Sequence, residues 1–219
     1  MRYEVIASGS SGNALVLNDV VMIDCGVSFK KLEPYYKKLQ LVLLTHIHSD
    51  HLNKTTINRL ARERPTLRWG CPEWLIVPLA MCGVRKHNID ILKMDYKYSY
   101  FGFSVITPFQ LEHDVPNCGY KMSFDSPFET AVYATDTVSL PDLPNCDYYF
   151  VEANYKDTEE LENRMRVKQE NGEYCHEKRV LEYHMSEKYA TDYIVRNSKP
   201  SSQYVFLHAH VEKEKKDEQ

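Results

Sequence analysis

The segment Thr45-His46-Ile47-His48-Ser49-Asp50-His51 follows directly on the apolar run Leu41-Val42-Leu43-Leu44. Four apolar residues in a row, bounded by polar ones, read as a buried strand, so the histidines emerge together at its C-terminal end. Side chains on an extended segment alternate with period two, which turns His46 and His48 to one side. Asp50 and His51 need the following turn to bring them round. Neutral imidazoles suit Zn²⁺, Mn²⁺ or Fe²⁺, and an adjacent carboxylate can bind a second divalent ion or hold an attacking water. The alternative, Ser49 or Asp50 capping a helix that begins near Asn53, accounts for one residue. It leaves three histidines side by side without partners.

Around this junction the chain alternates short strands and helices. Arg2–Ala7, Asn13–Asn18 and Val20–Asp24 are apolar and β-rich, separated by Ser8-Gly9-Ser10-Ser11-Gly12 and Asn18-Asp19, and read as consecutive antiparallel strands. The spacing of Phe29, Leu32, Tyr35, Tyr36 and Leu39 predicts a helix over Phe29–Leu39. A helix over Asn53–Arg64 stops at Pro65, and another runs from Pro72 to about Cys82 between strands at Leu67–Trp69 and Ile89–Leu92. Strands are expected at Tyr98–Thr107, Gly119–Phe124, Thr130–Ala134, Tyr148–Glu152 and Gln203–Leu207, and charged helices at Asp157–Gln169 and Glu177–Asn197. β-Meanders with helices outside them imply two packed sheets flanked by helices, an α/β (α+β) architecture. No Pro/Gly/Ser-rich linker divides the chain, so 1–211 is read as one domain. Residues 212–219, eight polar residues without an apolar anchor, are read as a solvated tail.

Composition removes several classes. The longest apolar run, Trp74 to Cys82, contains Pro78 and is far short of the roughly 20 residues needed to cross a bilayer. The N-terminus enters a strand without the apolar stretch of a secretory leader, so secretion is not expected. The six cysteines are widely spaced with no Cys-x-x-Cys pair, and are read as reduced thiols in a cytoplasm, a host cytoplasm if the chain is phage-encoded. With 27 Lys+Arg against 31 Asp+Glu the chain is mildly acidic. Lys30-Lys31, Lys37-Lys38 and the arginines from Arg59 to Arg68 are read as solvated helix faces. Phosphate contacts dominate the affinity of long nucleic acids, so this balance favours a short or cyclic nucleotide over a duplex.

One loop cannot fill a metal site, and other polar residues stand at strand ends. Asp24 ends Met22-Ile23, His113 follows Gln110-Leu111, Asp136 follows Val132-Tyr133-Ala134, and His208 follows Val205-Phe206-Leu207. His210 is the alternative to His208; His208 directly follows the apolar run and is preferred. The order Asp24, His46-x-His48-x-Asp50-His51, His113, Asp136, His208 resembles the five motifs of the metallo-β-lactamase-fold hydrolases. Ser8-Gly9-Ser10-Ser11-Gly12-Asn13 and His184-Met185-Ser186 resemble the phosphodiesterase and nuclease branch, which includes tRNase Z, small exonuclease-like members and phage-encoded cyclic-nucleotide phosphodiesterases.

The resemblance implies an αββα sandwich of two mixed sheets, a pair of divalent ions, Zn²⁺ or alternatively Mn²⁺, and a homodimer. It implies that His46, His48 and His113 hold one ion, that Asp50, His51 and His208 hold the other, and that Asp136 bridges them. Asp24 then orients a ligand histidine, Asp50 orients the attacking water and His184 donates a proton. The long substrate-clamping arm of tRNase Z is not recognisable. His87 and His176, in polar contexts, are expected on the surface. Two readings follow: hydrolysis of a phosphodiester in a cyclic nucleotide, RNA or single-stranded DNA, or a non-catalytic metal-binding accessory role in a phage or mobile element.

Overall fold

Strands that are apolar at every position need cover on both faces, and two sheets with an outer helical layer on each provide it. The computed structural model describes residues 1–100, 102, 104–172, 175 and 177–208. One six-stranded sheet runs in the order β1 (Tyr3–Ala7), β2 (Ala14–Leu17), β3 (Val21–Ile23), β4 (Leu41–Leu43), β5 (Arg68–Cys71), β6 (Ile89–Ile91). A second contains β7 (Tyr98–Tyr100), β8 (Ser104–Leu111), β9 (Asn117–Asp125), β10 (Phe128–Ala134), β11 (Tyr148–Glu152) and β12 (Gln203–Leu207), each beside the next. Both sheets are mixed. The first is antiparallel from β1 to β3 and parallel from β3 to β6. The second is antiparallel from β7 to β10 and parallel from β10 to β12.

The two-residue periodicity of the strands divides the core into three layers. Leu15, Leu17, Ile23, Leu41 and Leu43 face the other sheet and meet Ile106, Tyr120, Met122, Phe124, Tyr133 and Phe150. The intervening Val16, Met22 and Val42 pack instead beneath α1 (Phe29–Leu32), α2 (Lys54–Glu63) and α3 (Ile76–Met81). Val132, Tyr149 and Val151 pack against Ala190, Tyr193 and Ile194 of α6 (Glu187–Asn197), which follows α4 (Thr158–Glu170) and α5 (Glu177–Tyr183). At about 1.5–3 kcal/mol for each fully buried aliphatic or aromatic side chain, these layers hold the strand ends that carry the polar residues. The architecture is the α/β, αββα sandwich expected.

Several local expectations are corrected. The helix expected over Phe29–Leu39 ends at Leu32, because Pro34 has no N–H to continue the ladder and its ring crowds the preceding turn. The carbonyls left free at Tyr36 and Leu39 accept from Arg64, the latter at 2.7 Å. Tyr98–Thr107 is not one strand but the hairpin β7–β8, turning through Gly102 with φ 71°. Glu177–Asn197 is two helices, α5 and α6, broken at His184-Met185-Ser186. Tertiary pairing makes the break: Asn154 N–H donates to Met185 O at 2.9 Å, and Ser186 Oγ caps α6 by accepting from Tyr189 N–H at 3.1 Å.

Arg59 lies over the Phe29 ring, Arg64 binds backbone carbonyls and Arg68 pairs with Asp90, so these arginines serve the fold and form no continuous basic track. Lys30, Lys31, Lys37, Lys38 and His87 are exposed. The six cysteines are free, five of them buried. No helix among the described residues is long and apolar enough to cross a membrane. His176, His210 and the tail expected at 212–219 lie outside the described residues, as does the end of the domain expected over 1–211.

Candidate metal centre

The polar residues at the strand ends meet at one edge of the sandwich. Three of them leave their strands through left-handed backbone: Asp24 after β3 (φ 58°), Asp136 after β10 (φ 57°) and His208 after β12 (φ 57°). A left-handed residue turns the chain sharply out of the sheet, and for a histidine it is an uncommon conformation that the surrounding structure must hold. Here His208 N–H donates to Ser8 Oγ at 2.6 Å, which ties the end of β12 to the β1–β2 loop.

The histidine loop is held from two sides. Asn13 N–H donates to Asp50 O at 2.7 Å, Cys25 N–H to His51 O at 2.8 Å and Asn53 N–H to Cys25 O at 2.9 Å. Gly26 fits between these strands of backbone because it has no side chain: a Cβ there would lie 1.6 Å from Asp50 O. Asn53 caps α2, its Oδ1 accepting from Thr56 N–H at 3.0 Å, so neither Ser49 nor Asp50 is needed for that task.

Two groups of imidazoles and carboxylates result. His46 Nε2 lies 3.1 Å from His48 Nδ1, which lies 3.3 Å from His113 Nε2. Beside them, His51 Nε2 is 2.9 Å from Asp136 Oδ2, and His208 Nδ1 is 3.2 Å from Asp136 Oδ1. Asp50 sits at the rim, its Oδ2 3.7 Å from His51 Nε2 and 3.4 Å from Asn13 Nδ2, with its side chain 23% exposed. Asp24 is fully buried behind His51, accepting from its Nδ1 at 2.7 Å, from Thr45 N–H and from the Tyr133 hydroxyl, both at 3.0 Å. Asp24 therefore fixes the His51 ring and leaves Nε2 facing Asp136. The nine residues named at sequence level are thus all at this edge, His184 included: its Nδ1 is 2.5 Å from Glu152 Oε1.

Glu152 and Asp114 were not singled out in the sequence. Glu152 is fully buried and receives both His184 and, at 3.1 Å, His208. A carboxylate closing the apolar run Tyr148-Tyr149-Phe150-Val151 was its available signal. Asp114 Oδ1 is 3.0 Å from His113 Nε2, and its other oxygen pairs with Arg179 of α5. Its exposed polar context concealed it.

Charge explains what such a cluster accepts. Burial opposes a positive charge on His46, and the neighbouring imidazoles add to it, so its pKa is held well below the ordinary value. Burial likewise lowers that of His113. These rings are neutral, the form that ligates metals. At His51 burial also opposes charge, but the Asp24 and Asp136 carboxylates outweigh it and push the pKa well above normal. At His208 burial is outweighed by hydrogen bonds to Asp136 and Glu152, which raise the pKa to about 10. The buried carboxylates thus demand positive charge, supplied here by protons on two imidazoles.

A divalent cation would supply that charge equally, and two observations suit one. Asp136 Oδ2 and His113 Nδ1 are both buried without a hydrogen bond of normal geometry. Candidate ligand atoms within 4.8 Å of one another come in three groups: His46, His48 and His113; His46, His51 and Asp136; and Asp136, Glu152, His184 and His208. Asp136 belongs to two of these groups and His46 to two, so the groups form one continuous centre of nitrogen and oxygen donors that fits divalent metal.

Known proteins resemble the chain in sequence and in fold. It is 29% identical over 178 residues to Exodeoxyribonuclease WalJ of Streptococcus pneumoniae, strains D39 and R6 alike, covering 70% of this chain and 62% of theirs. The chain therefore spans about six-tenths of the length of these curated relatives. The fold matches the metallo-β-lactamase fold protein YhfI from Bacillus subtilis with a TM-score of 0.69 at 18% identity, over 94% of this chain and 85% of that one. It matches the short form of human tRNase Z with a TM-score of 0.68 at 14% identity, over 95% and 92%. The family model described as the β-lactamase superfamily domain matches residues 20–208, which include all of Asp24, His46, His48, Asp50, His51, His113, Asp136, His184 and His208, and the chain belongs to that family.

Proposed function

We propose that the chain is a metal-dependent hydrolase that cleaves a phosphodiester bond in a nucleotide substrate, a cyclic nucleotide or a nucleic-acid end. The observation that carries this reading is the continuity of the His46–His48–His113 group with the carboxylate-bearing group around Asp136. In this reading His46, His48 and His113 would hold one divalent ion, Asp50, His51 and His208 would hold the second, Asp136 would serve both, and Asp24 fixes His51. Nitrogen and carboxylate donors favour Zn²⁺, with Mn²⁺ also accepted. The exodeoxyribonuclease name of the pneumococcal relatives supports a nucleic-acid phosphodiester. A homodimer, implied by the family resemblance, belongs to the same proposal.

Two divalent ions, when bound, polarise a phosphoryl oxygen and lower the pKa of a water towards neutrality. The chain's own groups do the rest. Asp50, at the open rim beside Asn13, accepts a hydrogen bond from the attacking water and sets its direction. His184 protonates the departing oxygen. Its Nδ1 is committed to Glu152, so Nε2 is the atom left to carry the transferable proton.

Hydrolysis of bis(p-nitrophenyl) phosphate with Mn²⁺ or Zn²⁺, measured against His48→Ala and Asp50→Ala, tests the reading. Wild type should be at least about a hundredfold faster than either variant; equal rates with metal fully loaded would leave the non-catalytic role. Cyclic nucleotides, single-stranded DNA, RNA and precursor tRNA, compared as substrates, then define the class. In His184→Ala, kcat should fall by about a hundredfold or more, the usual worth of a positioned proton donor. Its metal content should stay near that of wild type. Loss of metal in that variant would make His184 a ligand instead.

A further inference from the structure

Outside the centre, the largest exposed apolar side chains include Met81, 81% exposed, and Ile47, 46% exposed. They line one groove of about 450 Å³ between α2 and α3. Ile47 stands between His46 and His48, so the groove opens directly beside the metal-binding loop. Its apolar wall is Ile47, Pro78 and Met81; its polar wall is the exposed face of α2, with Lys54 and Asn58 one turn apart. Asn58 Nδ2 donates to Cys82 O at 3.0 Å, which pins the end of α3 to α2 and fixes the width of the groove. Lys54 is a cation in the first turn of α2 and has no ion pair among the described residues.

We infer that this groove is the nucleoside subsite of the enzyme, holding the base next to the scissile phosphate. The inference rests on the phosphodiesterase reading. Leaving Met81 in water gives up the burial free energy that a core position would return, and an exposed apolar face beside a reaction centre marks a place where a ligand covers it. Methionine is unbranched and polarisable, and so adapts to the flat face of any base. Base stacking on such a wall tolerates every base. A purely apolar partner would leave the Lys54 charge without a counter-charge; a nucleotide meets both walls, its base against Ile47 and Met81 and its phosphate towards Lys54. The space is of the size that small-molecule sites use.

The test compares thymidine 5′-(p-nitrophenyl phosphate), which carries a base, with methyl p-nitrophenyl phosphate, which does not, in wild type and Met81→Asp. The ratio of the two kcat/KM values should fall about tenfold in the variant, chiefly through KM, as loss of one stacking contact predicts. A ratio that changes by less than about twofold overturns the subsite. Calorimetric binding of thymidine 5′-monophosphate, set against inorganic phosphate, gives the same comparison without turnover: the variant should lose about tenfold in the preference for the nucleotide. If wild type hydrolyses neither ester, the phosphodiesterase reading fails and the binding ratio alone decides the groove; an unchanged ratio there overturns it. A change of sedimentation in Met81→Asp with both ratios unchanged assigns the face to a second copy and likewise overturns the subsite.

Discussion

Asp136→Asn should abolish turnover of bis(p-nitrophenyl) phosphate, by about a thousandfold or more. Asp136 is 3% exposed and, among the described residues, is the one carboxylate within 3.2 Å of both His51 and His208. Its burial alone would favour the neutral acid, yet His51 and His208 hold its pKa well below the usual carboxylate range, so it is an anion at neutral pH. The amide keeps the shape and removes that charge, and one of its two terminal atoms becomes a donor facing imidazole nitrogens. A metal pair contributes several kcal/mol to the stabilisation of a phosphoryl transition state, and about 4 kcal/mol is a thousandfold in rate. Steady-state rates at saturating Mn²⁺ or Zn²⁺ check the expectation. The variant should remain folded, since the three core layers do not include Asp136.

Gly26→Ala should be the most damaging single methyl in the chain. Its Cβ would meet Asp50 O at 1.6 Å, Asp50 C at 2.2 Å and His51 N at 2.8 Å. All three are backbone atoms of the histidine loop, itself bound on both sides by Asn13, Cys25 and Asn53, so no side chain can swing away. Relief requires the whole loop to move off β3. Overpacking of this kind costs about 3 kcal/mol or more, equivalent to a Tm lower by about 6–12 °C in a chain of this size. Thermal unfolding followed by circular dichroism reads that shift. Metal affinity should fall with it, because Asp50 and His51 move with the backbone. A variant with wild-type Tm and wild-type metal content would mean that the loop is not seated against Gly26.

The polar residues that ended apolar runs were legible without coordinates. Asp24 and Asp136 each stop a strand whose last residues are buried on both faces, His208 closes the apolar run of the edge strand β12, and a polar group in that position has to go to the sheet edge. His46, His48 and His51 were legible for the same reason. Glu152 was not, although it too closes an apolar strand, because its partner His184 reaches it only through the break between α5 and α6, and His208 only through the pairing of β11 with β12. That break has no local cause strong enough to read: the helical spacing of Glu177–Asn197 continues through His184-Met185-Ser186, and the interruption comes from Asn154 pairing with Met185 across about thirty residues of chain. The short α1 shows the reverse case, where apolar spacing argued for a long helix and Pro34, in plain sight, outweighed it. Periodicity reports which face is apolar; it does not report where a backbone hydrogen bond is lost or captured.

The groove between α2 and α3 adds a consequence for substrate choice. With Arg59 on Phe29, Arg64 on backbone carbonyls and Arg68 on Asp90, Lys54 is the cation nearest the histidine loop in sequence that has no ion pair among the described residues. One base and one phosphate on that wall suit a cyclic nucleotide or the end of a strand better than the middle of a duplex.

Metal content measured on the purified chain after titration with Zn²⁺ or Mn²⁺, alongside Asp136→Asn, bears on the centre more directly than any rate. Wild type should bind two ions per chain and Asp136→Asn at most one, with the loss of binding paralleling the loss of hydrolysis. Wild type that takes up no ion tighter than the variant, under conditions where both are folded, would contradict a metal centre built on Asp136 and the histidines of this edge.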